Sequence, residues 1–137
     1  MKTNEIIKRL EAIISSHNLN VDELNGLCSD LEKNKDGFLA APSLFKVLEV
    51  FPEEDFGNPG EIVHFLESYY KKGYEEMLIA SLRRRATYHT TWMLNRVING
   101  TEGIKKQEYI ALMDHIAKTT SDNDARSEAE EFMEQLR

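Results

Sequence analysis

The stretch Asp55-Phe56-Gly57-Asn58-Pro59-Gly60-Glu61-Ile62-Val63-His64-Phe65-Leu66-Glu67-Ser68-Tyr69-Tyr70 decides how the chain folds. Asn58 is suited to cap a helix by accepting a backbone N–H, and Pro59 suits the first helical position, where its missing N–H has no partner to lose. Glu61, three residues after Asn58, completes a capping-box pattern. Ile62, Phe65, Leu66 and Tyr69 then recur at helical spacing, which predicts one buried face. The reading is a helix from Pro59 to about Lys72, broken by Gly73.

Working outward, every other segment also reads as helix. Ile6, Ile7, Leu10, Ile13 and Ile14 form one stripe over 4–16. Asn20 with Glu23 caps a second helix that carries Val21, Leu24, Leu27, Cys28 and Leu31. Lys33-Asn34-Lys35-Asp36-Gly37 stops it, with Gly37 expected at positive φ. Pro42 opens a third helix with Leu44, Phe45, Leu48 and Phe51. Beyond the central helix, Tyr74–Arg85 presents Tyr74, Met77, Leu78 and Leu82. Thr87 is a cap for Tyr88–Asn99, which carries Trp92, Leu94, Val97 and Ile98. Ile104–Thr119 places Tyr109, Leu112, Met113 and Ile116 together, and a last helix carries Ala125, Ala129, Phe132, Met133 and Leu136. No alternating run is bounded by hairpin turns. The expected class is all-α, about eight short antiparallel helices in one domain, 1–137. They would form a compact stack of helical hairpins of the HEAT type or an irregular bundle.

Composition narrows the function classes. The 137 residues include 17 Lys and Arg against 24 Asp and Glu, a net charge of −7. That balance disfavours direct nucleic-acid binding, which needs a basic footprint, and suits a basic protein partner. Cys28 is the single cysteine, which excludes an internal disulfide or a cysteine zinc site and reads as a small buried apolar residue. The opening Met-Lys-Thr-Asn-Glu resembles neither a signal peptide nor a membrane span, so a cytoplasmic protein is expected.

Candidate chemistry is sparse. Glu32 to Ser43 imitates a calcium loop, but Glu32 stands at its first position, Ser43 at its last, and Pro42 interrupts it. Glu61-Ile-Val-His64 matches one half of a carboxylate-bridged metal site, and no second copy exists, because His17, His89 and His115 follow Ile14, Ala86 and Leu112 at that spacing. Arg83-Arg84-Arg85 suits the negative end of a helix dipole. Neither a nucleophile elbow nor a phosphate-binding glycine loop is present. Neither catalysis, metal nor cofactor is expected.

Acidic residues cluster twice. Glu49, Glu53, Glu54, Asp55 and Glu61 form one group. Asp122, Asp124, Glu128, Glu130, Glu131 and Glu134 form the other. Brought together, these would make a docking face built chiefly on Glu53, Glu54, Asp55, Glu61, Glu128, Glu131 and Glu134. Phe56, Tyr69, Tyr70 or Phe51 would serve as aromatic anchors.

A family resemblance also enters. Phe56-Gly57-x-Pro59-Gly60-x-Ile62-Val63-His64-Phe65-Leu66-Glu67 resembles a recurrent signature. It continues through Tyr74-Glu75-Glu76-Met77-Leu78, Ser81-Leu82 and Trp92-Met93-Leu94-Asn95-Arg96-Val97-Ile98-Asn99. Over 48–116 the chain is similar to small all-helical bacterial immunity proteins of contact-dependent inhibition and related polymorphic toxin systems. The resemblance implies a cytoplasmic antitoxin that binds a delivered toxin domain, often a nuclease (RNase or DNase), and blocks its active site. The residues assign the signature a structural part as well: Gly57 and Gly60 permit the turn, and His64, Glu67, Asn95 and Arg96 would join in a buried hydrogen-bond network. An alternative function is a helical-repeat adaptor without a toxin. A weaker one is a metal-dependent hydrolase on Glu61, His64 and Glu67.

Overall fold

The computed structural model describes residues 1–57 and 60–136. All regular structure among them is helical: α1 (Thr3–Ser16), α2 (Val21–Lys33), a 3-10 turn (Gly37–Ala40), α3 (Ala41–Val50), α4 (Glu61–Glu67), α5 (Tyr74–Arg84), α6 (Tyr88–Asn99), α7 (Gly103–Thr119) and α8 (Asn123–Gln135). No helix among these residues is long and apolar enough to cross a membrane. The chain divides into two compact units, Met1–Met77 and Leu78–Arg137.

In the first unit α1 packs on α3 and α2 on α4, while the sequence neighbours α1 and α2 touch less. This is the pairing of an irregular bundle. Its core is built from Ile6, Leu10 and Ile13 of α1, Leu24, Leu27, Cys28 and Leu31 of α2, Leu44, Phe45 and Leu48 of α3, and Ile62, Phe65 and Leu66 of α4. Burying each such side chain contributes about 2 kcal/mol. The start of α1 is tied to the turn after α2. Thr3 Oγ1 donates to Asp36 Oδ1 (2.6 Å), and Asn34 Nδ2 donates to Thr3 Oγ1 (3.0 Å) and to the Met1 carbonyl (3.0 Å). The oxygens and amide that imitate a calcium loop are thus used to hold α1.

Gly37 has a different reason from the one read in sequence. Positive φ occurs at Gly57, Gly73 and Gly103, and Gly37 opens the 3-10 turn instead. A Cβ there would overlap the Leu31 carbonyl oxygen, so glycine is required by close approach.

The central helix is also shorter than expected. α4 ends at Glu67, and 68–73 continue as tight turns. Ser68 Oγ donates to the Phe65 carbonyl (2.6 Å), Tyr69 N–H to Leu66 (3.1 Å) and Tyr70 N–H to Glu67 (3.1 Å). These i→i−3 bonds tighten the chain before Gly73, at φ 107°, turns it into α5. Tyr69 consequently leaves the helical stripe. It stacks on Phe38 (4.3 Å between centroids) and meets Phe65 edge-on (5.4 Å). The expected cap at Asn58–Pro59 lies outside the described residues, and α4 begins at Glu61 after Gly60.

In the second unit α8 packs on both α6 and α7. Thr87 caps α6 as read: Thr90 N–H donates to Thr87 Oγ1 (3.2 Å), and Thr87 N–H donates to Thr90 Oγ1 (3.0 Å). Asp122 caps α8 by accepting the Ala125 N–H (2.9 Å). Met93, Leu94, Val97 and Ile98 of α6, Tyr109, Met113 and Ile116 of α7, and Ala125, Ala129 and Phe132 of α8 form this core. Ala125 and Ala129 let the helix backbones approach closely.

Thr91 is wholly buried on α6, and its hydroxyl has no hydrogen-bond partner among the described residues. A buried hydroxyl without a partner loses its hydration for no return. Thr91→Val keeps the shape and is expected to raise stability by about 1 kcal/mol, a Tm gain of roughly 3–5 °C by calorimetry. A lowered Tm would show that the hydroxyl is bonded.

Candidate functional site

The acids singled out in sequence divide between the two units. In the first, Glu53, Glu54 and Asp55 are exposed in the loop after α3, and Glu61 is exposed at the start of α4. Asp55 Oδ1 accepts the Gly57 N–H (2.9 Å), a local turn that shapes the loop. Glu49 is buried, at 4% exposure, and drops out of any surface. The aromatic anchors are corrected as well. Phe56 is 2% exposed and is a core residue, so no partner reaches it. Tyr69 is half-buried in the Phe38–Phe65 cluster, Phe51 rests on His17 (5.0 Å), and Tyr70 carries Lys71 over its ring (5.7 Å).

The buried network of His64, Glu67, Asn95 and Arg96 is not formed as read. His64 is on the surface, with a side chain 71% exposed, and its Nε2 lies 3.8 Å from Glu32 Oε1. It sits on the polar side of α4, because the helical period places 62, 63, 65 and 66 inward and 64 outward. Removing it breaks only a solvent-screened contact. Asn95 accepts from Asn99 Nδ2 (3.0 Å) and bonds the Glu128 carboxylate, and exposed Arg96 lies over the Trp92 ring (4.9 Å).

Nucleophilic and metal chemistry fare no better. Burial, with the nearby Glu61 and Glu32 carboxylates, pushes the Cys28 thiol up to about 12, so it stays protonated and inert. Cys28 faces the Glu61 end of α4 while Glu32 reaches His64, so α2 and α4 run in the same direction. Among the described residues no group of three or more His, Cys, Asp and Glu side chains converges as metal ligands would.

The second unit holds the more structured acidic feature. Between α7 and α8 runs a groove of about 590 Å³. Asp114, Ala117 and Lys118 of α7 line one wall. Ser127, Glu130, Glu131, Met133 and Glu134 of α8 line the other. Lys118 Nζ pairs with Asp114 Oδ2 (2.8 Å), which leaves the three glutamates as the uncompensated charge of the lining. Glu128, one turn earlier, has its carboxyl pushed above the ordinary range, first by partial burial and then by Glu131, against the opposing Asn95 bond.

The placement runs against local helix energetics. Glu130, Glu131 and Glu134 occupy the C-terminal half of α8, and its last turn holds no basic residue. Glu134 lies in that last turn, where a carboxylate opposes the macrodipole by about 0.3–1 kcal/mol, and like charges at i, i+4, here Glu130 and Glu134, repel. Of the sequence-derived contact residues, Glu131 and Glu134 line this groove and Glu128 borders it. Asp114 was missed, because only the packing of α7 on α8 brings it there.

No family model, curated protein or solved structure matches the chain. The groove therefore has to be read from its own chemistry.

Proposed function

We propose that this protein is a non-catalytic, protein-binding inhibitor of the immunity type, which neutralises a basic toxin domain, a nuclease in the reading implied by the resemblance, by occupying its active-site cleft. The observation that carries the reading is the α7–α8 groove, whose three uncompensated glutamates crowd one end of α8, with Glu134 in the last turn, where the helix dipole disfavours it. A feature that costs local stability and concentrates one sign of charge fits a binding surface better than a solvated helix face. Met133 and Ala117 add apolar contact from the two walls, and a flexible thioether adapts to a partner's shape. A nuclease cleft is positive because it holds phosphates, so an acidic groove would mimic its substrate. Charge of this kind speeds encounter and helps choose the partner.

The test is a pull-down with the product of the gene directly upstream, at about 50 mM and about 500 mM salt. The outcome expected is a stoichiometric complex with a basic protein that weakens strongly at high salt, since screening is nearly complete beyond a few ångströms there. A complex indifferent to salt would remove the mimicry mechanism. Absence of a complex at either salt would favour the adaptor reading.

A further inference from the structure

Charge is unevenly shared between the two units. Residues 1–77 hold 15 Asp and Glu against 8 Lys and Arg, and residues 78–137 hold 9 of each, so the net charge of −7 belongs to the first. Against that average, the first unit carries a basic corner. Lys33, the last residue of α2, and Lys35, in the turn that follows, are exposed and have no ion pair among the described residues. They line an open depression of about 430 Å³ together with Ile7 and Leu39. Lys2, Lys33 and Lys35 outnumber the one carboxylate of this lining, Asp36, which already accepts the Thr3 hydroxyl (2.6 Å).

Leu39 stands at this corner 67% exposed, while Ala40 is buried and Phe38 stacks on Tyr69. Its turn is held in place. Leu39 N–H donates to the Asp36 carbonyl (3.0 Å), and Asn34 and Asp36 are bonded to the start of α1. A side chain presented by a fixed turn docks with little ordering cost. This knob, apolar at its tip and basic at its flanks, complements the α7–α8 groove, where Met133 and Ala117 stand beside Glu130, Glu131 and Glu134. The groove, about 590 Å³, has room for a leucine side chain. Such a contact also sets the balanced second unit of one copy on the acidic first unit of another, which avoids the repulsion of acid on acid.

We propose that the chain associates with a second copy of itself, the Leu39 knob of one copy entering the α7–α8 groove of the other, with Lys33 and Lys35 facing its glutamates. The contact is heterologous, so each copy offers both halves. It is small, which makes it weak and reversible. It covers the groove assigned above to a basic partner, so self-association and partner binding exclude one another. The contact stands on the charge and shape of the groove and does not depend on the inhibitor reading.

Sedimentation equilibrium of the full chain, from about 10 μM to about 1 mM at about 150 mM salt, tests it. The weight-average mass should rise above the 15.8 kDa of one chain with concentration, and should fall back toward it at about 500 mM salt. Leu39→Ser should weaken the association at least about tenfold. Lys33→Glu with Lys35→Glu should abolish it, as should Glu130→Lys with Glu134→Lys, each with an unchanged circular dichroism spectrum. Mixing the two double variants should restore it, because an intact knob then meets an intact groove. Lys8→Glu with Lys46→Glu makes the same charge change at other exposed positions of the first unit and should leave the association in place. A monomer at every concentration overturns the proposal and leaves the inhibitor reading to the pull-down. So does association that Leu39→Ser or either double variant leaves intact. So does capture on vesicles of anionic phospholipid, through Lys33 and Lys35, of a chain that stays monomeric.

Discussion

Gly60→Ala is expected to be the most damaging single-methyl change in the first unit, costing about 3 kcal/mol or more. Gly60 has an ordinary extended backbone, φ −87° and ψ 178°, so backbone strain is not the reason. The reason is contact: a Cβ would overlap the Phe56 carbonyl oxygen and crowd its carbon. Backbone cannot swing aside as a flexible side chain can, and Phe56 is itself buried. The α4 start would have to shift, carrying Ile62, Phe65 and Leu66 out of their packing against α2. For a chain of this size the loss corresponds to a Tm lowered by roughly 10 °C or more. Gly26→Ala provides the opposite case. Gly26 is exposed within α2, and an added Cβ meets nothing within 4 Å. There the same substitution should gain about 0.5–1 kcal/mol by restricting the unfolded chain and favouring helix. Thermal melts of the two variants should move in opposite directions. Parallel shifts would mean that the Phe56–Gly60 approach is not what glycine serves.

Reversing Glu130, Glu131 and Glu134 to lysine should separate stability from binding. Affinity for a basic partner should fall roughly a thousandfold, about 4 kcal/mol, because attraction is replaced by like-charge repulsion across the contact. Stability should hold or rise by about 0.5 kcal/mol, since a cation at position 134, in the last turn of α8, complements the dipole that Glu134 opposes. The association rate should fall more steeply than with Glu→Gln, and the difference should shrink as salt rises. Unfolding of the triple variant, or full affinity retained, would remove the α7–α8 groove from the mechanism.

Much of the helix inventory was legible without tertiary structure. Asn20 and Thr87 cap α2 and α6 through their own side chains as read, and such caps depend on residues three apart; the Asp122 cap of α8 has the same local form but was not named from sequence. The apolar stripes of α1 and α2 are buried because a 3.6-residue period admits one inward face. The site was far less legible. Glu131 and Glu134 could be named from charge clustering, but Asp114 and Ala117 join them only through the pairing of α7 with α8. Phe56 shows the converse error, since an aromatic in an acidic loop looks available until the loop folds it inward.

What the sequence determined by itself is therefore local: the all-helical class, most helix bounds, the Asn20 and Thr87 caps and an acidic surface, each set by residues within about one turn of one another. Tertiary structure alone decided the rest. It ended α4 at Glu67 by drawing Tyr69 against Phe38, left His64 at the surface beside Glu32, and made Gly37 and Gly60 indispensable through carbonyls six and four residues away. It also set the acidic groove between α7 and α8. Those outcomes depend on which helix meets which, and buried surface is shared between partners that periodicity within one helix cannot name.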